Sequence, residues 1–135
     1  MAIGHYNRIY TGSGQVSNQG PNGYWGESNL AMGSENHVKG NQAVAMGLKN
    51  HVYTDNSGAV GRELILNNPA GKGGFVVGQY NDTTEYATGE DVAFVVGNGT
   101  SAHLQDATNA LVVYHNGDVV VPERQGDIAM GNFGN

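Results

Sequence analysis

Few residues in this chain could do chemistry. Histidines stand at positions 5, 37, 51, 103 and 115. His37 and His51 sit in equivalent places of a repeated phrase, each preceded by Asn and followed by Val. If strands stack, that spacing sets the two rings in one column, about 4.8 Å apart. Such a column around a symmetry axis could bind a metal ion or an anion. The competing reading, favoured by the polar surroundings, is a pair of rings at a solvated corner. Ser101, His103 and Asp106 are the residue types of a hydrolase, but their Gly- and Thr-rich loop has no nucleophile elbow. Asp55-Asn56-Ser57 lacks the acidic residue that would complete a calcium loop. Gly12-Ser13-Gly14 and Gly71-Lys72-Gly73-Gly74 do not have the order of a phosphate loop. Asn81-Asp82-Thr83 and Asn98-Gly99-Thr100 are formal glycosylation acceptors that turn chemistry explains more simply. No catalytic set, metal site or cofactor site is expected, and no enzyme. A polysaccharide-cleaving activity is disfavoured because no paired carboxylates sit on expected strands.

The aromatic residues say more. Tyr6, Tyr10, Tyr24 and Trp25 cluster near the N-terminus, among Gly, Asn and Ser. Rings on polar loops can stack on sugars while amides bond hydroxyls. Tyr24, Trp25 and Tyr10 are therefore the candidate receptor or glycan contacts. Against this stands a capping role at the end of a repeat array, where terminal units are atypical. Tyr80 and Tyr86 flank an acidic stretch and form a second, weaker patch.

The elements that position these residues are strands. The 135 residues fit one domain. Gly occurs 22 times, and 15 Val against six Leu favour strands over helices. With no cysteine there is no disulfide framework and no reading of redox compartment. No apolar run is long enough to span a membrane, and no basic-then-apolar leader opens the chain. Residues 1–72 carry five basic and four acidic groups, net +1. Residues 73–135 carry one basic and eight acidic groups, net −7. An acidic half argues against a nucleic-acid partner, which needs clustered Lys and Arg.

A short phrase repeats. Ala31-Met32-Gly33, Ala45-Met46-Gly47 and Ala59-Val60-Gly61 follow one another at a constant step, which defines a period of fourteen. Asn36 and Asn50 share the register, as do His37 and His51, then Val38 and Val52. Each copy reads as a short strand that ends in a Gly/Asn turn, with a second turn near Gly40-Asn41 and Thr54-Asp55. One repeat is then one coil of two strands and two corners, stabilised by its neighbours. Along Ala43-Val44-Ala45-Met46-Gly47 the side chains alternate. Val44 and Met46 are expected to fill the coil. Ala43, Ala45 and Gly47 would face partner subunits in a ring of identical chains. The expected core of roll and trimer is Ala31, Met32, Gly33, Val44, Ala45, Met46, Gly47, Ala59, Val60 and Gly61. On this reading Asp at Val44 or Met46 blocks folding, and Leu at Ala45 blocks assembly.

The repeat over residues 29–61 resembles the left-handed parallel β-roll of YadA-like trimeric autotransporter adhesin heads. That family usually has Ser or Asn two positions before the Ala; Asn29 and Ser57 comply and Ala43 does not. Residues 75–122 resemble a segment of bacteriophage tail-fibre and related surface-fibre proteins, through Val76-Val77-Gly78-Gln79-Tyr80-Asn81, Val96-Gly97-Asn98-Gly99-Thr100-Ser101 and Asn109-Ala110-Leu111-Val112-Val113. The resemblance implies an all-β fold: an intertwined homotrimer of parallel β-roll repeats with C-terminal β-hairpins. The division is a roll region at 1–66 and a hairpin region at 67–135, forming one fibrous module. Residues 111–122 should form a hairpin with a two-residue type I′ turn at Asn116-Gly117. Residues 64–78 read as another hairpin with a longer loop. The implied role is a fibre or adhesin module of a phage virion or bacterial surface. Its implied partners are its own copies, a virion or anchor protein, and a host receptor or glycan. A purely structural spacer is the alternative.

Overall fold

The computed structural model describes residues 1–11, 14–17, 29–84, 86, 89–103 and 105–122, and it contains no helix among them. The chain winds between two sheets. The first holds β1 (Ala2–His5), β4 (Leu30–Ser34), β6 (Val44–Leu48), β8 (Gly58–Arg62), β10 (Phe75–Gln79), β11 (Val92–Asn98), β12 (Asn109–Tyr114) and β13 (Val119–Val120), in that spatial order. The second has the order β3-β2-β5-β7-β9, from β2 (Arg8–Thr11), β3 (Gly14–Ser17), β5 (His37–Val38), β7 (His51–Val52) and β9 (Ile65–Leu66). The pairs β1/β2, β4/β5, β6/β7 and β8/β9 make a parallel β-solenoid of about four coils. The sequence period is the register itself: Ala31 pairs with Ala45 and Ala45 with Ala59, while Val38 pairs with Val52.

Glycine is demanded by how closely the coils approach. Gly47 has φ +119°, and a Cβ built on it would lie 2.0 Å from the Gly61 carbonyl oxygen. No side chain fits that contact, and the left-handed backbone disfavours one further. The same column runs Gly4, Gly33, Gly47, Gly61, Gly78 and Gly97. It survives the break in period, because Gly61 still pairs with Gly78 and Gly78 with Gly97 although both intervals exceed the standard coil. The surplus residues are spooled into corner loops.

Asparagine closes each corner from inside. Asn36 Nδ2 shares its two N–H donors among Asn7 Oδ1 at 3.0 Å and the Met32 and Gly47 carbonyls at 2.9 Å. Asn50 repeats the pattern one coil on, with Asn36 Oδ1 at 3.0 Å and the Met46 and Gly61 carbonyls at 2.9 Å. The Leu64 amide ends the ladder on Asn50 Oδ1. The position two before the Ala has a similar task. Asn29 Oδ1 accepts the Ala43 amide at 2.8 Å, and Ser57 Oγ accepts that of Gly74 at 3.1 Å. Buried amides are thus matched coil to coil. No buried side-chain nitrogen or oxygen among the described residues lacks a partner.

The interior reverses the expected faces. Ala31, Ala45 and Ala59 are fully buried, followed in the same row by Val76, Val95 and Val112. Opposite them lie Val38, Val52 and Leu66, also fully buried. Met32, Val44 and Met46 are only partly buried on the outer face, and Val60 is exposed. The coil is too thin for large residues from both sheets. The second sheet supplies the bulk, so the first supplies alanine while the sheets face one another. Ala45, not Met46, is therefore the position at which a larger side chain would oppose folding.

Two turn expectations are also corrected. Residues 64–78 form no hairpin. Ile65–Leu66 pairs parallel with β7 in the second sheet, and Phe75–Gln79 pairs parallel with β8 and β11 in the first. The loop between them crosses from one sheet to the other, as in every earlier coil. At Asn116-Gly117, β12 and β13 pair antiparallel, but only Gly117 has positive φ (+98°). Its amide bonds the Tyr114 carbonyl, and the Tyr114 amide bonds the Asp118 carbonyl. A three-residue loop with its glycine left-handed replaces type I′.

Candidate functional site

Two surfaces stand out. The first is the outer face of the first sheet. Strand register sets Leu30, Val44, Gly58, Phe75 and Phe94 in one row. A parallel row runs Ile3, Met32, Met46, Val60, Val77 and Val96. Both rows are apolar throughout. Ile3, Val60 and Phe75 are 42%, 37% and 39% exposed. The Phe75 and Phe94 rings lie nearly parallel, with centroids 6.5 Å apart. Gly58 makes room for this pair, since a Cβ there would lie 2.5 Å from the Phe75 ring. A soluble chain rarely leaves so long an apolar stripe bare.

The second surface is a cleft of about 380 Å³ on the outer face of the second sheet, within the range of small-ligand pockets. One wall is the row Arg8, His37, His51 and Ile65. The other is the corner column Tyr6, Glu35, Lys49 and Glu63. His37 and His51 stack with centroids 4.7 Å apart and planes 20° from parallel. Tyr10 flanks the stack on the His37 side, at 6.0 Å. Tyr53 flanks His51 at 6.0 Å and places its hydroxyl 3.0 Å from His51 Nδ1. Burial pushes the pKa of His37 below the usual value, helped by the charges of His51 and Arg8 and opposed by Glu35. Burial also lowers His51, against Glu63. Both rings are therefore neutral near pH 7.

The corner column has unusual backbones. Tyr6, Glu35, Lys49 and Glu63 have φ between 50° and 56°, a left-handed conformation carried by four non-glycine residues. Glycine or asparagine would adopt it at lower cost. The expected turn residue, Asn36 or Asn50, is instead the buried ladder residue that follows.

Of the sequence candidates, the structure brings together His37, His51 and Tyr10. Tyr24 and Trp25 lie outside the described residues. Tyr80 is buried, with the Arg62 guanidinium 5.3 Å from its ring centroid, so it forms no exposed patch. Tyr86 packs against the core and its hydroxyl accepts Asn81 Nδ2 at 2.8 Å. Ser101 Oγ donates to Asp106 Oδ2 at 2.9 Å and accepts the His103 amide, which makes a turn rather than a relay. Among the described residues no group of three or more His, Asp or Glu could hold a metal ion. Arg8, Glu35, Lys49 and Glu63 were not singled out by sequence. Glu35, Lys49 and Glu63 recur with the period of the coil, and that is the signal that could have found them.

No family model, no curated protein and no solved structure matches this chain.

Proposed function

We propose that the chain is a homotrimeric fibre module of a phage virion or bacterial surface, built on a left-handed β-roll and serving attachment to a host receptor. The observation that carries this reading is the apolar stripe on the outer face of the first sheet. It runs unbroken from Ile3 to Val96 while the second sheet's outer face is charged and aromatic. A closed ring of three copies would bury all three stripes at once. It would leave the second sheets facing outward, where three equal surfaces act with avidity. The His37–His51 column then lies on the outside of the ring, away from a three-fold axis, which removes the geometric basis for an axial metal site.

Light scattering after size exclusion tests the assembly. The expected mass is three times the 14.2 kDa of one chain. A folded monomer that persists at micromolar concentration refutes the reading. Phe75→Asp should yield monomers or aggregates and abolish binding of labelled protein to host cells. Assembly without cell binding by the wild type would leave a spacer role in place of attachment.

A further inference from the structure

We infer that the cleft between the His37–His51 row and the Glu35–Lys49–Glu63 column binds an extended, uncharged oligosaccharide lying along the solenoid axis. The inference deepens the attachment reading, because it names the receptor chemistry and places the contact on the sheet that assembly would leave open.

Three observations support it. The first is charge. Arg8 and Lys49 stand against Glu35 and Glu63, so the cleft presents two cations and two carboxylates with no net charge. A polyanion would meet Glu35 and Glu63 on a chain whose net charge is already −6. A polycation would meet Arg8 and Lys49. A neutral polyol can use all four, since carboxylates accept from sugar hydroxyls while guanidinium and ammonium donate to them.

The second is shape. The stacked imidazoles line the cleft, and Tyr10 and Tyr53 flank them just outside its lining. Flat rings suit the apolar faces of pyranoses, which present C–H groups on one side and hydroxyls at the rim. Neutral imidazoles avoid the desolvation that a buried pair of cations would impose. The row also has a period. The two middle coils each add an imidazole and a corner charge, His37 with Glu35 and His51 with Lys49, at the strand spacing of about 4.8 Å. Successive sugars of an extended chain repeat on a similar length, so one saccharide can face one coil.

The third is the backbone. Glu35, Lys49 and Glu63 occupy left-handed corners with φ of 56°, 56° and 50°. Glycine there would relieve strain, yet long charged side chains occupy each corner and all three line the cleft. The equivalent corner of the next coil, Tyr80, has φ 46° but is buried, so the outward charged side chains rather than the backbone alone set this surface apart.

The test uses the whole protein. Imidazole NMR signals of His37 and His51 are followed while neutral linear oligosaccharides of glucose, galactose or N-acetylglucosamine are titrated to millimolar levels. Sulfated and uronic-acid chains serve as charged comparators. At least one neutral series should shift both histidines, and the charged chains should not. Lys49→Gly and Glu63→Gly remove the polar groups while relieving the backbone, so both should fold. Each should weaken that binding about tenfold or more. Histidine signals unmoved by every neutral series overturn the inference, and so does a response to charged chains alone or unchanged affinity in both variants. The mass of each sample is measured alongside. A trimer without saccharide binding rejects this inference and keeps the assembly. Saccharide binding by a monomer keeps this inference and rejects the trimer.

Discussion

Asn50→Ala should cost the roll several kcal/mol of stability. The Asn50 Nδ2 group shares its two N–H donors among Asn36 Oδ1, the Met46 carbonyl and the Gly61 carbonyl, all within 3.0 Å, and Asn50 Oδ1 accepts the Leu64 amide at 3.1 Å. Alanine retains none of these. Asn36 Oδ1 keeps the Asn50 amide as a partner. The Leu64 amide loses its partner at a fully buried site, and the Met46 and Gly61 carbonyls each lose one contact. A stranded buried group costs about 1–3 kcal/mol. Each lost carbonyl contact costs about 0.5–1 kcal/mol, so the sum is about 2–5 kcal/mol. That is a large part of the stability of a domain held together by about 5–15 kcal/mol. The assay is urea unfolding followed by circular dichroism at fixed protein concentration, because assembly links stability to mass action. Asn41→Ala is the control. Its side chain makes one long, exposed contact with Asp55, at 3.4 Å, and the change should cost under about 0.5 kcal/mol. Hydrogen exchange should show the loss concentrated around Met46, Gly61 and Leu64, since coils are stabilised by their neighbours. A midpoint for Asn50→Ala equal to that of Asn41→Ala would refute the ladder as the source of stability.

Three further outcomes are expected. Ala45→Leu, at a fully buried position against Val52, should destabilise folding by about 1–3 kcal/mol or more, whereas Met46→Asp should leave β-structure by circular dichroism but block assembly by light scattering. Stability should be full above about pH 6.5, the ordinary histidine value, and fall as pH drops through the lower folded values of His37 and His51, because the unfolded chain then binds more protons. Arg8 and Lys49 should sharpen that loss and Glu35 and Glu63 soften it; a melting temperature unchanged between about pH 7 and pH 5 contradicts this. Asp91→Ala should free the loop at residues 69–72, where the carboxylate accepts the Ala70 amide at 2.9 Å and the Lys72 amide at 2.7 Å; the loss of both should cost about 2–4 kcal/mol, with faster exchange at those two amides.

The coil and its period were legible because Gly, Asn and Ala recur at a constant step from Asn29 to Gly61. The choice of inner face was not. Alternation along Ala43–Gly47 separates two faces but carries no sign, and the habit of turning large residues inward chose wrongly. Volume decided the matter: Val38, Val52 and Leu66 already fill the gap from the other sheet. Asn36 and Asn50 were visible as a column, but composition alone suggests turn conformers rather than an internal ladder. The break in spacing after Gly61 suggested a change of architecture. The glycine contact instead persists to Gly97, since loop length is a weaker constraint than backbone approach. In the cleft, His37, His51 and Tyr10 could be named from type and spacing. Glu35, Lys49 and Glu63 were marked only by their recurrence at the coil period, because long charged side chains at left-handed corners contradict propensity.

The loops that absorb the irregular spacing suggest how such a chain could diversify. Gly61 meets Gly78, and Gly78 meets Gly97, across excursions longer than the standard coil and unequal to each other. The frame registers the two ends of each excursion and is indifferent to its length. Doubling a flexible loop costs only about 0.6 kcal/mol of closure entropy. The tip at Gly71, where an added Cβ would meet nothing within 4 Å and the two amides held by Asp91 lie on either side, is thus the natural graft point. Descendants of one ancestral coil could acquire new surfaces there by insertion, while the glycine and asparagine columns continue to govern how the chain winds.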